Sequence, residues 1–163
     1  MLRKVTLLAA VVAVMTVAVA GTAWAELVRG TNGPDELTGT ANADNIYGFG
    51  GDDELFGLAG GDTIYGGGGN DRAQGGSGND FLYGGPGDDT LRGGEDNDYI
   101  KGGAGDDFLY GGPGNDTINS QDGEAGNDYV NCGAGTDTAY VDAGDFVEPG
   151  TCENVVLTPE PTT

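Results

Sequence analysis

Ten aspartates recur at an unbroken interval of nine residues: Asp35, Asp44, Asp53, Asp62, Asp71, Asp80, Asp89, Asp98, Asp107 and Asp116. Asp128 and Asp137 continue the interval after three residues, 120–122, displace the register. Carboxylates repeated at one spacing are a supply of oxygen donors, and oxygen donors in number hold hard cations. Little other chemistry is open to the chain. It has no His in 163 residues, which removes Ser-His-Asp and Cys-His catalysis and His-ligated zinc. Its 27 acidic and 6 basic side chains give a formal charge of −21, which opposes a phosphate backbone, so no nucleic acid partner is expected. Carboxylate pairs can hydrolyse glycosides, but here every regularly spaced Asp is assigned to cation binding, and no enzyme is expected.

The elements that must place these carboxylates are written in the same period. With Gly30 as position 1, Gly opens all ten units, at 30, 39, 48, 57, 66, 75, 84, 93, 102 and 111, and Asp stands at position 6. Position 8 is Leu37, Ile46, Leu55, Ile64, Ala73, Leu82, Leu91, Ile100, Leu109 and Ile118. A Gly-rich hexapeptide takes left-handed backbone angles and lets chains approach closely. The triplet after it points one apolar side chain inward and its neighbours outward, as strand alternation requires. Each unit is therefore a turn followed by a very short strand. Chains with 34 Gly and such an acid excess are commonly disordered, but disorder keeps no register. Asn42 and Asp96 replace Gly at position 4, and Thr31, Thr40, Phe49 and Leu58 replace it at position 2. Position 5 holds Asp52, Asp88 and Asp106 or Asn70, Asn79, Asn97 and Asn115, either as solvated turn residues or as outer contacts around an ion.

The two ends differ from the array. Arg3 and Lys4, the apolar run Val5–Ala20 and Ala23-Trp24-Ala25 read as an export signal over 1–25. Cleavage there removes two cations and takes the charge to −23. It leaves no transmembrane anchor, the run being shorter than the ~20 residues a span needs. The expected location is secreted and extracellular, with the periplasm or cell surface as alternatives. In an exported chain Cys132 and Cys152 read as a disulfide rather than two free thiols. Residues 141–158, with Val141, Phe146, Val147, Val155, Val156 and Leu157, read as a cap over the last coil. Residues 159–163 read as a disordered tail.

The units GGSGNDFLY (75–83), GGPGDDTLR (84–92) and GGAGDDFLY (102–110) resemble the hemolysin-type calcium-binding repeat of the repeats-in-toxin family. The resemblance extends over 30–140 in about twelve copies. It implies an all-β fold, a parallel β-roll solenoid occupying 26–140 with two units to a coil. It also implies calcium ions shared between successive coils, held by position-6 Asp side chains and by turn carbonyls. Carried over, the side-chain ligands are the twelve Asp named above, with Asp53 facing Asp71 and Asp62 facing Asp80. The carbonyls are those of Gly67, Gly69, Gly76, Gly78, Gly85, Gly87, Gly103, Gly105, Gly112 and Gly114, and the regular array allows up to about eight ions. Units 1 and 2 are expected to cap the array with weak or absent sites, and the 120–122 insertion to bulge and interrupt the ion column.

One inward aliphatic per nine residues is a thin core against this self-repulsion, so the ion-free chain is not expected to fold. Alternation puts Tyr47, Tyr65 and Tyr83 in one row with Phe81 and Tyr99 beside them. That row either stacks for stability or serves as a surface for cell-surface glycan or another protein. The expected function is an exported calcium-binding β-roll that folds on its ions in a structural or adhesive role. The alternative is a calcium-triggered secretion and folding module.

Overall fold

The computed structural model describes residues 25–122 and 127–157. The expected export signal, except Ala25, and the tail 159–163 lie outside the described residues. The strands in chain order are β1 (Leu27–Arg29), β2 (Glu36–Thr38), β3 (Asn45–Gly50), β4 (Glu54–Ala59) and β5 (Thr63–Gly68). Then follow β6 (Arg72–Ser77), β7 (Phe81–Pro86), β8 (Thr90–Glu95), β9 (Tyr99–Ala104) and β10 (Phe108–Pro113). The last are β11 (Thr117–Asn119), β12 (Tyr129–Ala134), β13 (Thr138–Val141), β14 (Phe146–Val147) and β15 (Asn154–Leu157). Odd strands form one parallel sheet of eight and even strands a second of seven, each strand pairing with the strand two further on. Two nine-residue units thus make one coil of a parallel β-solenoid.

Register follows the period. Ile46 lies opposite Ile64 and Ile64 opposite Leu82, a shift of eighteen residues. The position-8 side chains Leu55, Ile64, Leu82, Leu91, Ile100, Leu109 and Ile118 are 0 % exposed and, with their counterparts in the other described units, form a continuous core cluster. Each coil therefore contributes two side chains to a column between the sheets. Most strands are longer than the expected triplet because they run on through positions 1–3 of the next unit, where Gly67 also pairs with Phe49 and Gly68 with Gly50. Phe49, Leu58 and Asp96 occupy glycine positions with φ of 79°, 84° and 77°. A bulky residue there costs about 1–3 kcal/mol of backbone strain, so the early units hold the glycine geometry at a local penalty.

The insertion does not behave as expected. Leu109 pairs with Val130 and Ile118 with Ala139, a shift of twenty-one residues, so both sheets cross it intact. Its described residues do not bulge. Ser120 is 1 % exposed, its Oγ donates to Asp145 Oδ2 at 2.7 Å, and the Asp122 N–H donates to Asp142 at 3.0 Å. The cap region also continues the solenoid: β14 pairs with β12 and β15 with β13, both parallel. Cys132 and Cys152 are disulfide-bonded, with Cα atoms 5.2 Å apart. No helix among the described residues is long and apolar enough to cross a membrane.

Candidate metal-binding column

Each position-6 Asp follows the Gly turn and precedes a strand, and that junction turns its side chain into the molecule. All twelve are buried, from Asp62, Asp89, Asp107 and Asp137 at 0 % exposed to Asp35 at 6 %. One carboxylate oxygen has a fixed partner. The backbone N–H of Asp53 donates to Asp71 Oδ1 at 2.9 Å, that of Asp62 to Asp80 Oδ1 at 2.7 Å, and that of Asp71 to Asp89 Oδ1 at 2.8 Å. The chain of contacts crosses the insertion, from Asp107 N–H to Asp128 and from Asp116 N–H to Asp137, each at 2.7 Å. The two columns of carboxylates are therefore continuous where an interruption was expected.

The other oxygen has none. Oδ2 of Asp53, Asp62, Asp71, Asp80, Asp89, Asp98, Asp107, Asp116, Asp128 and Asp137 is buried without a hydrogen-bond partner. An unsatisfied buried carboxylate oxygen is among the most costly groups a fold can hold, and ten in register call for a common counter-charge. Asp35 and Asp44 are different. Their Oδ2 atoms accept from the backbone N–H and hydroxyl of Thr31 and Thr40, the residues that replace Gly at position 2.

A backbone carbonyl lies beside several of the orphans. A Cβ on Gly84 would fall 2.2 Å from Asp89 Oδ2 and 2.6 Å from the Gly102 carbonyl, so the absent side chain leaves a cradle between carboxylate and carbonyl. Position 2 and position 4 glycines stack likewise. A Cβ on Gly85 would meet the Gly67 carbonyl at 2.0 Å, and one on Gly87 the Gly69 carbonyl at 2.0 Å. The carbonyls of Gly76, Gly85, Gly87, Gly112 and Gly114 stand in the same relation to Gly94, Gly103, Gly105, Gly133 and Gly135. Gly78, Gly103 and Gly105 share the positive φ of this turn, at 116°, 133° and 130°.

The electrostatics of the column follow from the same burial. Burial first, then neighbouring carboxylates, pushes Asp71 and Asp80 up to about 6 and Asp89 and Asp98 up to about 7 from the ordinary 3.8, against the lowering effect of the backbone hydrogen bonds. Among the described residues no three His, Cys, Asp or Glu side chains converge on one point. Any ion here must therefore draw on backbone carbonyls as well as carboxylates. That donor set, all oxygen and partly main-chain, fits Ca²⁺, which takes six to eight such ligands in flexible geometry.

Position 5 has a role the sequence did not disclose. Asn70 Oδ1 accepts from the Asp88 N–H at 3.1 Å, Asp88 Oδ1 from Asp106 at 3.0 Å, and Asn97 Oδ1 from Asn115 at 2.7 Å. These exposed side chains link each turn to the coil above, forming a second ladder outside the carboxylate column. The sequence also concealed two acids in the cap, Asp145 and Glu153, which strand pairing sets opposite Asp128 and Asp137.

The fold and column define a class: a parallel β-solenoid whose turns carry an axial array of inward carboxylates. The family model of the RTX calcium-binding nonapeptide repeat matches residues 29–64, 56–91, 65–100, 83–118 and 122–145, more than half of the chain, which therefore belongs to that family. No curated protein matches it. The Asp-rich array is accordingly an RTX-type calcium-binding solenoid.

Proposed function

We propose that this protein is exported and folds around calcium ions to act as a structural or adhesive element at the cell surface or outside the cell. The observation that carries the calcium part is the set of ten buried Asp oxygens without partners, with a backbone carbonyl beside those of Asp53, Asp62, Asp71, Asp80, Asp89 and Asp116. The twelve position-6 Asp and the turn carbonyls of Gly67, Gly69, Gly76, Gly78, Gly85, Gly87, Gly103, Gly105, Gly112 and Gly114 are the proposed ligands. Asp35 and Asp44 close the first coil through Thr31 and Thr40 instead, with weak binding or none. The column then offers eight stacked pairs in the regular array and two more across the insertion. Calorimetric titration with Ca²⁺ tests this: several ions per chain support it, and no heat and no binding refute it. Export and the structural role rest on the signal-like segment 1–25 and on a chain whose regular acids are all committed to the column. Retention of added protein by cells or matrix in calcium, released by chelator, distinguishes adhesion from simple calcium buffering.

A second reading, a glycan- or protein-binding face, draws its support from the sheet opposite the tyrosine row. The rings of Tyr47, Tyr65 and Tyr83 stack at 4.9 Å with planes within 9°, so each covers its neighbour's face and shows the surroundings an edge. This favours packing as their role. On the even sheet a groove of about 660 Å³ runs over bare glycine backbone between Gln74, Arg92 and Tyr110 on one side and Ser77 and Glu95 on the other. The Arg92 guanidinium lies 4.9 Å above the Tyr110 ring. Tyrosine fluorescence titrated with a glycan panel tests this face; a response lost in Arg92→Ala supports it, and silence across the panel removes it.

A further inference from the structure

The nine-residue period ends for the eye at Tyr140, but the strands do not. Phe146 pairs with Tyr129 and Asn154 with Thr138. This places Asp145 opposite Asp128 and Glu153 opposite Asp137, at separations of seventeen and sixteen residues where the array uses eighteen. The cap thus consists of two shortened units, each with an acid where the array has its position-6 Asp, followed by a strand.

Three observations show that these acids continue the column. The Asp137 N–H donates to Glu153 Oε2 at 2.8 Å, the same bond that the N–H of each of the ten regular Asp makes to the carboxylate above it. Asp128 and Asp137 are 1 % and 0 % exposed, yet their Oδ2 atoms lack partners, as does the buried Oδ1 of Asp145. Asp145 is held in place through its other oxygen, which accepts from Ser120 Oγ at 2.7 Å and from the Asp142 N–H at 2.9 Å. The insertion therefore anchors Asp145 through Oδ2 and leaves its Oδ1 buried and without a partner, on the residue that strand pairing sets opposite Asp128.

We infer that the cap closes two further calcium sites, one between Asp128 and Asp145 and one between Asp137 and Glu153, so that its docking onto the last coil depends on the ions. The inference rests on the calcium reading of the column and extends it beyond the recognisable repeats. Asp128 is buried in a carboxylate-rich setting, with Asp107, Asp145 and Asp122 as its charged neighbours. A divalent cation is the counter-charge such a group lacks. Val147, packed against the core cluster, and the disulfide then hold the end that the ions have drawn together, while Phe146, Val155, Val156 and Leu157 stay exposed.

The test compares the oxidised full chain with Asp145→Asn, Glu153→Gln, their double variant and the mid-array variant Asp89→Asn. Gln keeps the acceptor that the Asp137 N–H needs, so a purely structural Glu153 would leave binding unchanged. Calorimetry with Ca²⁺ is expected to show one ion fewer for each cap variant and two fewer for the double. Hydrogen exchange at β13 and β15 should need several-fold more calcium for protection in Glu153→Gln than in the parent, while β7 and β9 respond as before. This second readout holds even if the cap of a variant frays. Full stoichiometry and parental protection in both cap variants, with an ion lost in Asp89→Asn, overturn the inference and leave the column intact. A parent chain that binds no calcium overturns both.

Discussion

At the scale of single residues, each position is decided by which oxygen it faces. Gly87, with φ of 131°, would set a Cβ 2.0 Å from the Gly69 carbonyl, whereas Gly68 has nothing within 4 Å. Gly87→Ala should therefore cost roughly 2–4 kcal/mol through strain and overlap, and Gly68→Ala less than about 0.5 kcal/mol. Thermal unfolding in saturating calcium measures the difference; equal midpoints for the two would contradict the stacked-carbonyl geometry. Asp89→Asn should raise the calcium concentration for half-folding by about tenfold or more, on the scale of losing a partner at a metal site. Titration would tell, an unchanged midpoint arguing against ligation by Asp89.

Titration of the column gives a prediction of defined sign. Asp71 and Asp80 sit at about 6 and Asp89, Asp98 and Asp128 at about 7 in the ion-free fold, against 3.8 ordinarily. A carboxyl raised on folding stabilises the fold fully below its unfolded value, and that contribution is lost as pH rises through the folded value. Calcium-depleted protein should thus gain β-structure between pH 7 and about 4.5 and lose it again on return. Circular dichroism with no change over that range would contradict the protonation of the column. The ten regular Asp were legible because the period is exact in the sequence. Their two unequal oxygens were not, since the fate of Oδ1 depends on an N–H eighteen residues away.

At the scale of elements, the short strands and their inward position-8 side chains could be written from the sequence, because one apolar side chain per unit leaves a single way to face a core, while the parallel pairing two units apart was implied by the resemblance to the repeat family. The ends could not. Asp145 and Glu153 were hidden by two units that are each one residue too short. The insertion was expected to interrupt the column, but the bonds from the Asp107 N–H to Asp128 and from the Asp116 N–H to Asp137 cross it. The cap is joined to β12 by the Cys132–Cys152 bond, which spans twenty residues. Its reduction should lower stability by about 3 kcal/mol in the chain-entropy model. Hydrogen exchange should open β14 and β15 before the central strands, and uniform loss across all coils would be the contrary result. Tyr65 stacks on both Tyr47 and Tyr83, so Tyr65→Ala should cost about 1–3 kcal/mol from two ring pairs.

At the scale of the molecule, the balance is between a core two side chains wide and a charge of −21. Hydrogen bonds run up the axis from coil to coil, so each coil stabilises only its neighbours and order must spread along the stack. On the proposed function, ions between coils both neutralise the column and join the coils. The excess of acid that would mark most chains as disordered is then the reason this one can fold. The most direct test is far-ultraviolet circular dichroism of the chain at pH 7.5, in excess chelator and then on restoring calcium. The account predicts an unfolded spectrum in chelator and cooperative gain of β-structure with calcium. A full β spectrum that persists in excess chelator would contradict it.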